Sequence, residues 1–392
     1  MKTCSESLRK LGPQFEDVAT REGPAWWESP GDPLPKGGSG RVFCRVKSGG
    51  LGSEPTAICC RHDGSREENA LYAPLAVFLR EVGFPVPRVL AREDARRALL
   101  LQDLGSRDLL SLAASPWPER RAAYFSALDA LFFLHSGGLA RLQSLPPGER
   151  PRLMPGFDEA LYHWEQDYFR RHCLLRLARG PVHAARLCEE PAAWWEEFAA
   201  LPPMPAGEGV SRLRRPESAF SQELAALIAR LLGHPRALVH RDCQSENILW
   251  HDGRAWFIDF QGMREGSPWY DVASLLQDPY AGLDGAQRRE LFDYYAAKLD
   301  AEGRACAQRR YLDASAQRLM QALGAYGFLG VEKKRTAFLR HSRPALQSLC
   351  RVTSESPLFP NLNRAATALL CISDPVSEAT DPSKPGEGCL GA

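Results

Sequence analysis

The spacing of apolar positions changes along the chain, and this change predicts strands in its first part and mainly helices beyond it. Residues 41–46 alternate between apolar and polar side chains, and residues 56–61 and 98–101 form short apolar runs typical of strands. Between these strands, Leu71, Leu75, Phe78 and Leu79 fall on one face of a predicted helix. Ser65, with Glu68 three positions on, fits the start of that helix as a capping box.

Helical spacing dominates after residue 105. One long helix is predicted from the shared face of Ala122, Phe125, Leu128, Phe132 and His135. Residues from about 140 to 235 predict a helical insertion of three segments, marked by Phe157, Leu161, Trp164 and Tyr168, by Trp194, Trp195 and Phe198, and by Phe220, Leu224, Leu227 and Leu231. The Pro-rich residues 201–205 predict a loop. We also expect a short helix near residues 7–19 and a flexible tail over residues 373–392.

Two apolar strands each lead into polar residues suited to phosphoryl transfer. His240, Arg241 and Asp242 follow the strand at 238–239, Asn247 comes five residues after Asp242, and Asp259 follows the strand at 256–258. Phosphoryl transfer needs a carboxylate for the acceptor hydroxyl and oxygen ligands for magnesium. This predicts ATP and Mg²⁺ as cofactors, with Asp242 as the base and Asn247 and Asp259 as metal ligands. Asp and Asn are also ordinary turn residues, but the full set in this order matches a kinase signature.

A glycine-rich turn precedes the strand at 41–46 and is the candidate phosphate-covering loop. Its residues are Gly37, Gly38, Ser39, Gly40 and Arg41. Glycines let backbone amides approach phosphate oxygens, although the same sequence is also common in hairpin turns. The preference for the phosphate loop depends on the kinase signature further along the chain.

Arg61 stands where a kinase would place its phosphate-gripping lysine. A guanidinium can hold two phosphates, while the alternative is a solvated charge at a strand end. We expect Glu67 or Glu68 to pair with Arg61, although helix capping explains the two acids nearly as well.

The turn at Gln102, Asp103 and Leu104 is expected to bind the adenine edge through its backbone groups.

The spacing around the signature favours a small acceptor molecule. Only eleven residues separate Asp259 from Asp271, too few for the long segment with which protein kinases dock their substrates. The expected fold is α+β and protein-kinase-like, with two lobes. Residues 1–104 form a small antiparallel-sheet N-lobe, and residues 105–372 form a larger, mostly helical C-lobe that contains the insertion.

From residues 33 to 350 the chain resembles the aminoglycoside phosphotransferase and choline kinase family. The matching motifs lie at 37–43, 85–90, 102–105, 239–247 and 259–276. Within the family it looks closest to bacterial cell-wall kinases that phosphorylate the anomeric hydroxyl of N-acetylmuramate and N-acetylglucosamine, on the motifs at 260–262, 275–278 and 317–324. The resemblance implies magnesium-dependent ATP use, the roles given above for Asp242, Asn247 and Asp259, and a loop-bracing role for Asp271, which could also serve as a helix N-cap. Arg61 in place of lysine departs from the family pattern.

Charge and composition narrow the choice of partner. The net charge of +1 provides no global field toward nucleic acid or membrane, and no apolar run is long enough for a membrane span or signal peptide, so we expect a cytoplasmic protein. Residues 301–351 hold ten basic and three acidic residues, which favours a neutral or anionic sugar over a polycationic aminoglycoside, although surface charge is mostly solvated and need not face the site. Tyr162, Trp164 and Glu165 are the candidates for contacting that sugar, although a packed helix face also explains them.

Two other functions remain open from the sequence. An antibiotic kinase would share the same motifs, and a pseudokinase is suggested by Arg61 alone. Retention of Asp242, Asn247 and Asp259 argues against the pseudokinase. The eleven cysteines lack metal-ligand spacing and are expected to be reduced, with Cys243 a bystander in the loop because nothing beside it supplies a base.

Overall fold

The computed structural model describes residues 26, 31–34, 40–47, 55–174 and 218–372. The helix expected at 7–19, the segment around Trp194, the loop at 201–205 and the tail at 373–392 all lie outside these residues.

A five-stranded antiparallel sheet forms in the N-terminal region. Its strands are β1 (Asp32–Pro33), β2 (Arg41–Lys47), β3 (Thr56–His62), β4 (Val89–Glu93) and β5 (Ala98–Gln102). Their order in the sheet is β1-β2-β3-β5-β4. Side chains alternate between the two faces of a strand, so one face collects the apolar cluster of Val46, Ala57, Cys59, Ala91 and Leu100. The strands predicted from alternation and apolar runs are therefore confirmed.

Helix α1 (Tyr72–Glu81) connects β3 to β4 and buries the predicted face, including Leu75, Phe78 and Leu79. The predicted start of this helix is wrong. A 3-10 turn (Glu67–Leu71) precedes the helix, its N-cap residue Arg66 makes no side-chain capping bond, and the Ser65 amide donates to Asp63 instead. The short Asx turn at Asp63 competes with helix capping for these residues and prevails.

Helices dominate the rest of the described chain. They are α2 (Trp117–Ser144), α3 (Glu159–Phe169), α4 (Ala219–Leu232), α5 (Pro268–Leu276), α6 (Gly285–Ala296), α7 (Ala301–Gly327), α8 (Ser342–Ser354) and α9 (Pro360–Ile372). The prediction of an α+β chain with an antiparallel N-terminal sheet followed by a mostly helical part is confirmed. Among the described residues, no helix combines the length and apolar composition needed to cross a lipid bilayer.

Two small strand pairs position the polar residues of the kinase signature. Strand β6 (Ala237–Val239) pairs with β9 (Arg264–Gly266), and β7 (Ile248–His251) pairs with β8 (Arg254–Phe257). Asp252 and Gly253 connect β7 to β8 with positive φ angles of 50° and 69°, which is the geometry of a tight hairpin turn. Because Ile248 lies opposite Phe257, the residues just before β7 and just after β8 are neighbours.

The chain divides into two compact units. The first comprises residues 1–162 and 227–318, and the second comprises residues 163–226 and 319–392. The sheet, the two strand pairs and all residues of the kinase signature belong to the first unit. The lobe boundary at residue 104 stays a prediction.

Two glycines near the end of α7 allow a close backbone contact inside the second unit. A Cβ atom on Gly324 would lie 2.9 Å from the backbone carbon of Tyr168, and one on Gly327 would overlap the carbonyl oxygen of His172. Real Cβ atoms do not approach backbone this closely, so both positions require glycine.

Gly327→Ala should therefore destabilise the protein, although alanine in a helix is intrinsically favoured over glycine by about 1 kcal/mol. The clash is with backbone and cannot be relieved by a rotamer change, so the cost of overpacking exceeds the helix preference and we expect a net loss of about 1–2 kcal/mol. Chemical denaturation measures this difference. Gly285→Ala, where a Cβ meets nothing within 4 Å, is the matched control and should leave stability unchanged or slightly raised. Equal stability of both variants would contradict the packing described.

Candidate active site

The buried carboxylate of Asp271 holds the start of the loop between β6 and β7. Its Oδ2 accepts the His240 amide at 2.7 Å and its Oδ1 accepts the Arg241 amide at 2.8 Å. His135 on α2 lies 3.0 Å from Asp271 Oδ2 and 2.8 Å from the Tyr295 hydroxyl. Arg241 has a φ of +78°, a conformation that persists only when its surroundings fix it. The loop-bracing role of Asp271 is confirmed.

A second buried aspartate, Asp278, holds the other half of the same loop. It accepts the amide and the hydroxyl of Ser245, with the amide at 2.7 Å, and also accepts the Tyr280 amide at 3.0 Å. Burial raises the pKa of Asp278, although these hydrogen bonds act in the opposite direction. Asp271 lies near the start of α5 and Asp278 just past its end, so one helix fixes both halves of the loop.

Between these two anchors lies Asp242, whose side chain is 46% exposed. The Asn247 side-chain amide donates to the Asp242 carbonyl at 2.9 Å. This bond orients the Asn247 amide nitrogen toward the loop and leaves its Oδ1 on the other side of the amide group. Asn247 also accepts the Ile258 amide at 3.0 Å through its backbone carbonyl, which brings it next to Asp259.

Asp259 follows β8 with a φ of +63° and is 29% exposed. Its carboxylate accepts hydrogen bonds from the Arg41 guanidinium and the Gln261 side-chain amide. Burial alone would raise the pKa of Asp259, but Arg41 and Gln261 bring it below the ordinary value. The carboxylate is therefore anionic near neutral pH and suited to hold a cation.

The cation that contacts Asp259 comes from β2 and not from β3. Arg41 pairs in register with His62 and Phe43 with Cys60, so Arg41 and Cys60 project from one face of the sheet and Arg61 from the other. Arg41 is 7% exposed, whereas Arg61 is exposed. The structure does not bring Arg61 to Asp259.

The predicted pair between Arg61 and the acids after it is wrong for the same reason. Glu68 forms ion pairs with Arg66 at 3.3 Å and Arg241 at 4.0 Å, and Glu67 pairs with Arg152 at 2.6 Å. Glu68 therefore approaches the catalytic loop at Arg241 and not the phosphate-gripping position predicted on β3.

The predicted adenine-binding turn has a structural side chain at its centre. Asp103 is buried and accepts hydrogen bonds from Arg45 at 2.6 Å, from Thr56 at 2.8 Å and from the Gly105 amide at 2.9 Å. These bonds lower the pKa of Asp103 against the opposing effect of its burial. The Gln102 amide donates to Arg88 and is not available to a ligand, and Leu104 is buried.

The candidate sugar contacts differ in accessibility. Tyr162 is fully buried and stacks on Phe157 with ring centroids 5.0 Å apart, and Glu165 is 1% exposed. Neither offers surface to a ligand, so these two predictions are contradicted by burial of the helix face that carries them. Trp164 is half-buried and stacks on Tyr168, with ring centroids 4.9 Å apart.

Of the predicted phosphate-covering loop, Gly37, Gly38 and Ser39 lie outside the described residues, while Gly40 is described, with a φ of +70°.

Arg318 is a site residue that the sequence reasoning missed. It lies 76 residues from Asp242 along the chain, yet its Nη2 is 3.3 Å from Asp242 Oδ1. No local spacing links the two. The available signal is a charge placed among Leu319, Met320 and Leu323, because arginine is rarely buried without a partner.

The donor set near Asp242 fits magnesium held jointly by protein and phosphates. The described residues contain no group of three or more His, Cys, Asp or Glu side chains that would enclose a metal by themselves. Magnesium usually takes one or two carboxylates and keeps its remaining positions for water and phosphate oxygens. The anionic Asp259 and the Asn247 side-chain oxygen match that requirement.

Similarity to known proteins agrees with this geometry. A model of the phosphotransferase enzyme family matches residues 31–308. An N-acetylmuramate/N-acetylglucosamine kinase from Pseudomonas aeruginosa is 26% identical over 216 residues, covering 55% of this chain and 51% of the relative. The kinase of the same description from Caulobacter vibrioides is 23% identical over 263 residues, covering 66% of this chain and 63% of the relative. The chain thus spans less than two thirds of either relative.

A solved structure supports the fold. A choline/ethanolamine kinase family protein from Mesorhizobium loti superposes with a TM-score of 0.52 at 16% identity, covering 91% of this chain and 97% of that protein. The predicted kinase-like fold is confirmed.

The cysteines beside the site should be unreactive in the native protein. Burial raises the pKa of Cys60 to about 12, so roughly one Cys60 thiol in 10⁴ is ionised at about pH 8. Burial also raises the pKa of Cys243 well above its ordinary value. Peptide mapping after a short maleimide treatment should find Cys371, which is exposed, labelled and both site cysteines unlabelled. All three should react in denaturant. Rapid native labelling of Cys243 would contradict the bystander role.

Proposed function

The chain belongs to the phosphotransferase enzyme family, and from this premise we propose that it transfers the γ-phosphate of ATP to a hydroxyl group of a sugar in a magnesium-dependent reaction. Both curated relatives are N-acetylmuramate/N-acetylglucosamine kinases, so the proposed acceptor is the anomeric hydroxyl of an N-acetylated amino sugar.

The observation that carries the proposal is the different environment of two neighbouring carboxylates. Asp242 is 46% exposed and can meet an acceptor, whereas Asp259 is more enclosed, anionic and bound to Arg41. Two titratable groups held in different environments at one site are typical of a division of roles in catalysis. In this proposal Asp242 accepts the proton of the hydroxyl group and Asp259 holds a cation.

The chemistry that ATP and magnesium supply is a transferable phosphoryl group whose charge the metal neutralises. Asp242 would hold the hydroxyl in line with that group, and Asp259 and the Asn247 side-chain oxygen would hold the magnesium. Arg41 would leave Asp259 for the phosphates, because a guanidinium matches phosphate oxygens in charge and geometry. Residues 37–40 would cover the phosphates, and the adenine would lie near Asp103 and Leu104.

The proposal is tested by coupled ADP release with ATP and magnesium across N-acetylhexosamines, neutral hexoses, choline-like alcohols and aminoglycosides. We expect turnover on N-acetylhexosamines. Asp242→Asn should lower kcat by about 10²- to 10⁴-fold, the usual contribution of a positioned general base, without weakening ATP binding.

Asp252→Asn is the matched control. It makes the same charge change at a residue that is 87% exposed, in a turn that asparagine tolerates well, and it should keep full activity. Turnover confined to aminoglycosides would show that the acceptor is an aminoglycoside and not an amino sugar. A near-normal kcat in Asp242→Asn would refute the role of Asp242 as general base.

A pair of arginine variants tests the phosphate grip. Arg41→Gln should weaken magnesium-dependent ATP binding by about tenfold or more, since a hydrogen bond to a charged group contributes about 1.5–3 kcal/mol. Arg61→Gln removes the same charge from the opposite face of the sheet and should change affinity little. Isothermal titration with ATP and magnesium measures both. A larger loss in Arg61→Gln than in Arg41→Gln would restore the assignment made from the sequence.

A further inference from the structure

Arg318 is a buried arginine whose side chain contacts the proposed base. It extends from α7, its side chain is 7% exposed, and burial of an arginine is costly unless its donors are paired. Its Nε donates to the Ser274 hydroxyl at 3.0 Å, and its Nη2 donates to Asp242 Oδ1 at 3.3 Å. The guanidinium therefore bridges α5 and the catalytic carboxylate with two different nitrogen atoms.

Ser274 lies on the same helix as Asp271. Asp271 fixes the loop backbone at His240 and Arg241, just before Asp242. Through Ser274, Arg318 fixes the side chain of Asp242 relative to that same helix. The loop backbone before Asp242 and the carboxylate of Asp242 are thus both held in place by contacts to α5.

An aspartate that is nearly half exposed needs such a restraint. In solvent its carboxylate would rotate among several orientations, and phosphoryl transfer depends on positioning more than on covalent chemistry. With Oδ1 held by Arg318, Oδ2 is left to face an acceptor. A misplacement of about 1 Å in a reacting group costs on the order of 10²-fold in rate.

We infer that Arg318 is a positioning residue that orients the Asp242 carboxylate toward the acceptor hydroxyl, with Ser274 fixing the guanidinium. This inference rests on the proposed kinase function. Lysine cannot replace Arg318, because one ammonium group cannot reach Ser274 and Asp242 from two separate nitrogen atoms.

The test is a double-mutant cycle in kcat with Arg318→Lys and Asp242→Asn. Arg318→Lys keeps the charge and should lower kcat by about 10- to 100-fold, with the KM for ATP unchanged. In the Asp242→Asn background the same change should have almost no further effect, because the carboxylate that Arg318 orients is gone. Ser274→Ala, which leaves Arg318 in place, should give a smaller loss of the same kind.

Arg309→Lys is the matched control, since Arg309 is exposed on the same helix, and it should keep the wild-type kcat. Circular dichroism and thermal unfolding identify any variant that fails to fold. If Arg318→Lys does not fold, the double-mutant cycle is measured with Ser274→Ala in its place. A wild-type kcat in folded Arg318→Lys would overturn the inference. So would an equal loss in both backgrounds, which would mean that Arg318 acts independently of Asp242.

Basal ATP hydrolysis separates this inference from the proposed function. If the wild-type protein phosphorylates no sugar in the panel, the proposed function fails, and the same cycle is measured with water as the acceptor. Non-additive losses in hydrolysis would still support Arg318 as a positioning residue, and additive losses would overturn it.

Discussion

The geometry of the site depends on the buried carboxylate of Asp271. It accepts two consecutive backbone amides and lies beside His135, so it joins α5 and α2 to the start of the catalytic loop. A buried carboxylate left without such partners would cost several kcal/mol, which makes these contacts mutually dependent. Because Arg241 holds a positive φ only under this restraint, the direction in which Asp242 leaves the loop follows from the position of α5.

A second constraint is the balance of charge between the sheet and the loop. Asp259 is bound by Arg41, and the pair lowers the pKa of the carboxylate although burial would raise it. A strand exposes alternate residues to opposite faces, so only every second position on β2 or β3 can serve Asp259. Arg41 occupies such a position, whereas the alternation directs Arg61 to the other face.

The parts of the site within one stretch of chain could be predicted from the sequence. Asp242, Asn247 and Asp259 follow short apolar elements in the order of a kinase signature, which indicated their proximity, and the family resemblance added Asp271. Arg61 lies on the face of the sheet opposite Arg41, a one-residue difference that spacing cannot detect without the register of the neighbouring strand. The burial of Tyr162 was equally hidden, since an apolar helix face looks the same whether protein or ligand covers it.

Long-range contacts were beyond the sequence for a different reason. Arg318 reaches Asp242 across 76 residues, and Asp278 reaches Ser245 across 33, through the packing of whole helices. Those contacts also determine how accessible each carboxylate at the loop is. Asp271 and Asp278 are buried and accept backbone amides, and Asp259 is 29% exposed and bound by Arg41, whereas Asp242, at 46%, is the most exposed of the four. Of these four carboxylates, that of Asp242 is therefore the most accessible to a ligand at this loop.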